Sequence, residues 1–144
     1  MVTTVPLADL PGRPCPIAAA LEVVGERWAL LAVREIAMGS HRFSDIVRGT
    51  GAPRDRVAAR LKALTAAGVV ERRLYQARPE RYEYVLTGSG RELLPALDVL
   101  LGWGLRHAVA SDDPKRRADY RGLVEQDRDG AGGDRDEAAV PAAR

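Results

Sequence analysis

Apolar residues recur three or four positions apart in several stretches of this chain, a spacing that places them on one face of a helix. The first such stretch contains Ile17, Leu21 and Val24. Proline is well tolerated in the first turn of a helix, and glycine often follows the last turn. The pattern therefore predicts a helix that begins near Cys15, just before Pro16, and ends near residue 25.

The same pattern, interrupted by glycine and proline, predicts the elements that follow. They are a second helix ending near residues 38–39, a short strand at 41–43, a third helix ending before 49–51, a fourth helix from about 53 to 68, strands at 69–75 and 82–86, and a last helix from Thr87 to about 109. Two short helices separated by a glycine-containing turn form a helix-turn-helix, and a following hairpin makes it winged. The predicted fold class is therefore mainly α with a small β-hairpin, a winged helix-turn-helix.

The third and fourth predicted helices form the helix-turn-helix, and the sequence predicts how the third starts and how the fourth packs. Ser44 and Asp45 are predicted to cap the third helix, because their side-chain oxygens can accept hydrogen bonds from its exposed amide groups. In the fourth helix Val57, Leu61 and Leu64 share one face, which should pack on the core. The opposite face should therefore be exposed.

The last predicted helix has more apolar surface than one core-facing stripe requires. Its apolar residues cover more than one face, and in so small a chain a second subunit is the expected cover. We therefore predict a homodimer in which this helix contributes Leu97, Leu100, Leu101, Trp103 and Leu105 to the interface. Pro95 is expected to bend or weaken the helix near its first turns.

The two ends of the chain have a different composition from the middle. Residues 1–14 contain three prolines and a glycine and are predicted to form an irregular N-terminal arm. Residues 15–110 are predicted to form the winged-helix domain. Residues 111–144 are charged and rich in glycine and alanine, especially from 126 onward, and are predicted to be a disordered tail.

Charge is unevenly distributed along the chain. Between Arg27 and Thr87 there are 12 Lys and Arg against 6 Asp and Glu, whereas the net charge of the whole chain is only +2. A basic middle between acidic flanks is typical of a module that faces a polyanion. Basic residues often only solvate a surface, so it is the charge together with the predicted winged helix-turn-helix that makes double-stranded DNA the predicted partner.

The predicted DNA contacts lie where a winged helix-turn-helix docks, with the start of its second motif helix in the major groove. They are Pro53, Arg54, Asp55 and Arg56 at the start of the fourth helix, Arg42 and Ser44 at the start of the third, and Arg78 and Arg81 at the wing tip. Arginines at a helix start can each donate two hydrogen bonds to a guanine edge, whereas wing arginines typically meet phosphates. Asp55 is interpreted as orienting a neighbouring arginine or accepting from a cytosine amine. Arg60 is expected to form an ion pair within the protein.

Several other classes of protein are disfavoured by the composition. One cysteine and two histidines are a poor basis for a metal site, and no cofactor motif is present. No apolar run approaches the roughly 20 residues that a membrane helix needs, and no signal peptide is recognisable, so a cytoplasmic location is expected. The segment 87–90 (TGSG) is not a nucleophile elbow, and His41 and His107 have no obvious catalytic partner, so no enzymatic activity is predicted.

Residues 15–106 resemble the HxlR-type bacterial transcriptional regulators, a winged-helix family similar to the MarR regulators. The resemblance lies in the segments 15–18 (CPIA), 24–31 (VGERWALL), 42–46 (RFSDI), 60–64 (RLKAL), 67–72 (AGVVER), 81–87 (RYEYVLT), 93–95 (LLP) and 102–103 (GW). It implies DNA binding through the fourth helix and the wing, no enzymatic activity, and a dimer built from the first and last helices. Ile17 and Leu21 of the first helix therefore join the predicted interface. Repression is the expected outcome, by analogy with other small regulators.

Cys15 is a candidate redox sensor. Amide groups at a helix start favour a thiolate, and some HxlR-type proteins are similar in using a cysteine at this place to sense oxidants or electrophiles. A packed, inert cysteine is the alternative. Because the chain has one cysteine, a switch would need an intersubunit or mixed disulfide.

Two further alternatives remain open from the sequence. One is a regulator controlled by a small-molecule effector, bound in a pocket between the last helix and the DNA-binding body and lined by Trp28, Tyr75 and Trp103. The other is a winged helix that binds proteins instead of DNA, which would have less need of the basic middle segment.

Overall fold

The computed structural model describes residues 4–117 and 120–133. Its regular elements are α1 (Pro16–Val24), α2 (Arg27–Ala37), α3 (Phe43–Thr50), α4 (Arg54–Ala66), β1 (Val70–Ala77), β2 (Glu80–Leu86), α5 (Gly88–Arg91), α6 (Leu94–His107) and α7 (Leu123–Gly133), with one 3-10 turn at Leu7–Asp9. The two strands pair in an antiparallel sheet. The predicted fold class, mainly α with a β-hairpin wing, is confirmed.

The first two helices begin and end much as the sequence predicts. Cys15 is the N-terminal cap of α1, with its Sγ 3.5 Å from the amide nitrogen of Ala18, and Gly25 is the C-terminal cap. Glu26 caps α2 by accepting a 3.0 Å hydrogen bond from the amide of Trp28. The same carboxylate lies 3.5 Å from Arg60 of α4, which confirms the expected internal ion pair of that arginine.

The predicted strand at 41–43 is wrong. The carbonyl of His41 accepts one hydrogen bond, 2.7 Å long, from the amide of Tyr84, and α3 begins two residues later at Phe43. Ser44 and Asp45 therefore lie inside the first turn and do not cap it, because Arg42 occupies the cap position without a side-chain hydrogen bond. The helix also continues through residues 49–50, past its predicted end.

The turn between α3 and α4 uses a glycine where its backbone geometry requires one. Gly51 ends α3 with a φ of 71°, in the left-handed region that residues with a Cβ rarely adopt. Thr50 supports the turn, since its hydroxyl lies 2.9 Å from the carbonyl of Ile46 and accepts from the amide of Ala52 at 3.2 Å. This turn sets the angle between the two motif helices.

A buried carboxylate fixes α3 against α2. Glu35 is 8% exposed and accepts a 3.0 Å hydrogen bond from Nε of Arg34. The other end of the Arg34 guanidinium donates to the carbonyl of Gly49 at 2.9 Å. Any Cβ at residue 49 would overlap with the carboxylate of Glu35, so glycine permits this close approach.

The core lies where α2, α3 and α4 meet the base of the hairpin. Val57, Leu61 and Leu64 of α4 are all 1% exposed or less, which confirms the predicted inward face. They belong to one buried cluster with side chains of α2, α3 and the strands, among them Val33, Ile36, Ile46, Val70 and Leu86. The burial of one face of α4 leaves its opposite face in solvent.

The hairpin is longer than the sequence predicts. The pairing runs from Val70 opposite Leu86 to Ala77 opposite Glu80, so the connection is the two residues Arg78 and Pro79 instead of a six-residue tip. The register shifts between Leu74 and Gln76, which places a bulge at Tyr75. The wing therefore projects as a continuous ribbon almost to its turn.

The single last helix of the prediction is instead two helices. Thr87 caps α5 by accepting from the amide of Gly90 at 3.2 Å, and α5 ends at Arg91. Pro95 lies in the first turn of α6, where its missing N–H leaves no intrahelical bond unmade. The proline thus starts a new helix and does not bend an existing one.

The predicted disordered tail is wrong for residues 123–133, which form α7. The carboxylate of Asp98 on α6 accepts from the amides of Leu123 at 2.6 Å and Val124 at 3.3 Å, so it caps α7 from another helix. Leu123 is buried, and α7 packs against α2 and α6. Residues 134–144 of the predicted tail lie outside the described residues. The domain boundaries remain predictions.

Within the described ranges, no helix combines the length and apolar character required to cross a bilayer.

Candidate nucleic-acid interface

The start of α4 projects into solvent. Pro53 is its N-terminal cap, and Arg54, Asp55 and Arg56 are all exposed, whereas Val57, the next residue, is buried. Burial of Val57 holds the first turn in place while the three preceding side chains point away from the core. The structure thus brings the four predicted contacts of this helix to one exposed end.

The two arginines of this end are held differently. The guanidinium of Arg54 lies 5.0 Å from the centre of the Phe43 ring on α3, a cation–π contact that crosses the helix-turn-helix. Arg56 has no ion-pair partner in the part of the chain that the structure describes, and Asp55 likewise pairs with neither neighbour. The role of Asp55 in orienting a neighbouring arginine or accepting from a cytosine amine stays a prediction.

The exposed face of α4 is smooth beyond its first turn. Ala58 and Ala59 are exposed, and Lys62 follows one turn further along the same face. The spacing Arg54, Ala58, Lys62 is four residues at each step, so the two cations line up along the helix. Lys62 is a candidate contact that the sequence prediction omitted, and this spacing could have identified it.

The start of α3 is joined to the wing. Arg42 is exposed, and its guanidinium lies 4.8 Å from the centre of the Tyr75 ring on β1. Ser44 is exposed in the first turn of α3. Tyr75 lies at the bulge of the hairpin, so this contact relates the wing to the helix-turn-helix. Sequence reasoning missed this role of Tyr75, because its partner lies more than 30 positions away.

As far as the structure describes the chain, the wing carries two arginines without ion-pair partners at its tip, and at its base one arginine paired with a carboxylate and one stacked on an aromatic ring. Arg78 and Arg81 are exposed and have no ion-pair partner among the described residues. At the base, Arg73 lies 3.3 Å from Glu83, and Arg72 lies 3.5 Å from the centre of the Tyr82 ring. Of these four wing arginines, only Arg73 is neutralised by a carboxylate of the described residues, so Arg72 at the base keeps its positive charge as do the two arginines at the turn.

Two further exposed surfaces are apolar, one on α1 and one on α6. On α1, Ile17 is 72% exposed and Leu21 is 58% exposed, and on α6, Leu100 and Trp103 are 53% and 54% exposed. Leu101 and Leu105 are half-buried, and Leu97 packs partly against the core. Val99, also largely exposed, is a residue of the α6 surface that the sequence prediction omitted.

The effector pocket lined by Trp28, Tyr75 and Trp103 stays a prediction. Trp28 packs partly against the core, and both Tyr75 and Trp103 have exposed side chains. None of the three lines the groove that lies beside α7. Within the same residues, no group of three or more His, Cys, Asp or Glu is arranged to hold a metal ion.

Two motif helices joined by a glycine turn, followed by a hairpin whose tip is basic, define a winged helix-turn-helix protein. The chain belongs to the HxlR-like helix-turn-helix family, whose model matches residues 23–112.

Known proteins similar to this chain include both sequence relatives and solved structures. A protein of Mycobacterium tuberculosis named as an HTH-type transcriptional regulator is 43% identical over 95 residues, which cover 66% of this chain and 60% of that protein. The matched region thus spans less than two thirds of that relative. Among solved structures, the redox regulator HypR in its oxidized form has a TM-score of 0.58 at 31% identity, over 67% of this chain and 100% of HypR. The reduced form of the transcriptional regulator YodB of Bacillus subtilis has a TM-score of 0.55 at 26% identity, over 71% of this chain and 98% of YodB.

Proposed function

We propose that this protein is a homodimeric repressor that binds duplex DNA sequence-specifically at a palindromic operator. The observation that carries the proposal is the exposed start of α4, where Arg54 and Arg56 point into solvent from a helix whose other face is buried. A helix presented in this way fits the major groove, in which each base pair displays its own pattern of donors and acceptors. The family membership supports the same interpretation.

The contacts divide by chemistry. Arg54 and Arg56 donate to base edges and supply sequence discrimination. Arg42, Arg78 and Arg81 lie at the flanks of that helix and meet phosphates, which fix the position of the protein but carry no sequence information. Stacking of Arg42 on Tyr75 fixes the position of the wing relative to the start of α3, so that both can contact phosphates of the same duplex.

Dimerisation follows from the apolar surface of α1 and α6. Ile17, Leu21, Leu100 and Trp103 expose more than half of their surface in the isolated protomer. A second copy covering this surface removes it from water at about 25 cal/mol per Å² of apolar area. Two α4 helices related by a two-fold axis read half-sites about 34–36 Å apart. A dimer seated on a promoter occludes it, so repression is the outcome that we propose.

The salt dependence of binding tests the proposal. With Arg42, Arg78 and Arg81 of both protomers on phosphates, about six counterions are released, and affinity for random duplex should fall by about a thousandfold between roughly 50 and 200 mM salt. Fluorescence anisotropy with a labelled random duplex measures the slope of the logarithm of affinity against the logarithm of salt concentration. Fragments enriched from genomic DNA by the protein should share an inverted repeat. A protein that binds no duplex at low salt would instead be a protein-interaction module.

We also propose that oxidation of Cys15 controls DNA binding. Its Sγ is half-buried at the start of α1, on the helix that carries Ile17 and Leu21 of the dimer surface. HypR, a similar structure, is a redox regulator. A peroxide converts the thiol to a sulfenic acid, which condenses with a second thiol, from the other subunit or a small molecule, to a disulfide and water.

Replacing Cys15 with serine separates this proposal from a general effect of oxidants. Serine keeps a side chain that can cap α1, so the fold and basal DNA affinity should be retained. Peroxide with glutathione should reduce operator affinity of the wild-type protein by about tenfold or more and leave the Cys15→Ser variant unchanged, as measured by anisotropy. An equal response of both proteins, or of neither, would remove Cys15 from the regulation.

A further inference from the structure

A groove of about 580 Å³ lies between the base of the wing, the end of α2 and the C-terminal helix α7. Its volume falls within the range of about 300–1,000 Å³ that small-molecule sites occupy. It lies apart from the exposed start of α4 and from the apolar surface of α1 and α6, so neither DNA binding nor dimerisation accounts for it.

The walls of the groove carry two ion pairs. On the hairpin, Arg73 lies 3.3 Å from Glu83. Across from it, Arg91 of α5 lies 3.2 Å from Asp127 of α7. Both arginines are therefore already compensated by a carboxylate, and neither is left to attract an anion.

Glu71 is the charged lining residue without a partner among the described residues. It shares a face of the hairpin with Arg73 and Glu83, since the register places Glu71 opposite Val85 and Arg73 opposite Glu83. With His41 counted as neutral, three carboxylates against two arginines give the groove a formal net charge of −1. An unpaired carboxylate in a concave site attracts a cation.

The rest of the lining is mixed, since His41 and Gln126 lie among apolar side chains. Ile36, Val85 and Leu86 are nearly or fully buried beneath the groove, and Met38, 52% exposed, borders it. A thioether packs well against aromatic rings and adapts to their shape. The lining thus combines one carboxylate without an ion-pair partner among the described residues, apolar side chains, and the polar side chains of His41 and Gln126.

The wall of the groove opposite the hairpin is formed by α7, and a hydrogen-bonding contact outside the groove holds this helix in place. Gln126, Asp127, Gly130 and Ala131 of α7 line the site, and α7 is capped at its start by Asp98 of α6. This helix lies beyond residues 23–112, the range that the family model matches. The groove is therefore built in part by a segment that the family match does not include.

We propose that this groove binds a small organic cation with an aromatic or aliphatic body, whose charged nitrogen lies against Glu71. A ligand there contacts the base of the wing on one side and α7 on the other. It would be an effector of the regulator proposed above, but its binding is measured without DNA, so either proposal can fail without the other.

The test is a ¹H–¹⁵N NMR titration of the full chain with benzyltrimethylammonium, alongside phenylacetate and benzyl alcohol as anionic and neutral probes of similar size. The cation should shift the amide signals of Gly39 and Gly130, which line the groove. The Glu71→Gln variant should weaken its affinity by about three- to tenfold, as expected for loss of one partly exposed charge. Glu80→Gln removes the same charge from the wing tip and should leave the affinity unchanged.

Reversing the charge at residue 71 distinguishes a loss of ligand binding from a loss of folding. The Glu71→Lys variant should lose the cation and gain affinity for phenylacetate, a gain that a misfolded protein would not show. The proposal is overturned if phenylacetate binds the wild-type protein as tightly as the cation does, or if Glu71→Gln and Glu80→Gln behave alike. It is equally overturned if about 10 mM cation shifts no signal of the groove, since such weak binding carries no specificity.

Discussion

Replacement of Arg54 with alanine removes one guanine contact from each half-site, and it should reduce affinity for the operator by about 30-fold or more while changing affinity for random duplex by less than about threefold. A bidentate contact with a guanine edge is worth about 1–3 kcal/mol of discrimination, and this term vanishes on a random sequence. The stacking of Arg54 on Phe43 is exposed and contributes only about 0.5–1 kcal/mol to folding, so the variant should remain folded.

Arg78→Ala is the matched control, because it removes the same side chain from the wing tip. Without this phosphate-binding arginine, affinity for operator and for random duplex should weaken by similar factors, and the salt slope should become shallower by about 0.9 for each phosphate that is no longer neutralised. Both variants are compared by anisotropy at one salt concentration. Equal losses of specific binding for Arg54→Ala and Arg78→Ala would refute the division between base recognition and phosphate binding.

Leu100→Glu should convert the protein to a monomer and reduce operator affinity by more than about a hundredfold. Leu100 is 53% exposed in the protomer, so a charge there costs little in the isolated chain. In a dimer the same charge would be buried without a partner, which costs several kcal/mol. A protein with one reading helix also loses the advantage of binding two linked half-sites.

Light scattering should then give the mass of one chain, 15.6 kDa, where the wild-type protein gives twice that value. Met38→Glu is the matched control, because Met38 is apolar and 52% exposed but lies beside α7 and not on the α1–α6 surface. It should remain dimeric. A Leu100→Glu variant that stays dimeric and binds the operator normally would place the interface elsewhere.

The periodic elements of this fold were predictable, because burial of one face leaves a repeating mark in the sequence. Val57, Leu61 and Leu64 define α4 in this way, and with it the exposed arginine end of the candidate interface. The strand residues next to the hairpin turn carry no such mark. In β1 every residue after Val70, Gln76 included, is exposed, so buried and exposed positions do not alternate there. The strands were therefore predicted too short.

Other features depend on partners distant in sequence, which local patterns do not reveal. The start of α7 is capped by Asp98, 25 positions before Leu123, so a segment with few apolar residues is nonetheless ordered. The stacking of Arg42 on Tyr75 and of Arg54 on Phe43 likewise joins separate elements. Pro95 shows a different difficulty, because the same residue can interrupt one helix or begin another.

The close approach of α3 to α2 couples the evolution of two positions. Residue 49 can acquire a side chain only if the carboxylate at residue 35 retracts, because a Cβ at 49 would occupy its space. If that carboxylate is replaced, Arg34 keeps the carbonyl of Gly49 as its acceptor but loses its counter-charge. Among homologous sequences, a larger residue at 49 should therefore coincide with a shorter one at 35, and the charge at 34 should change with them.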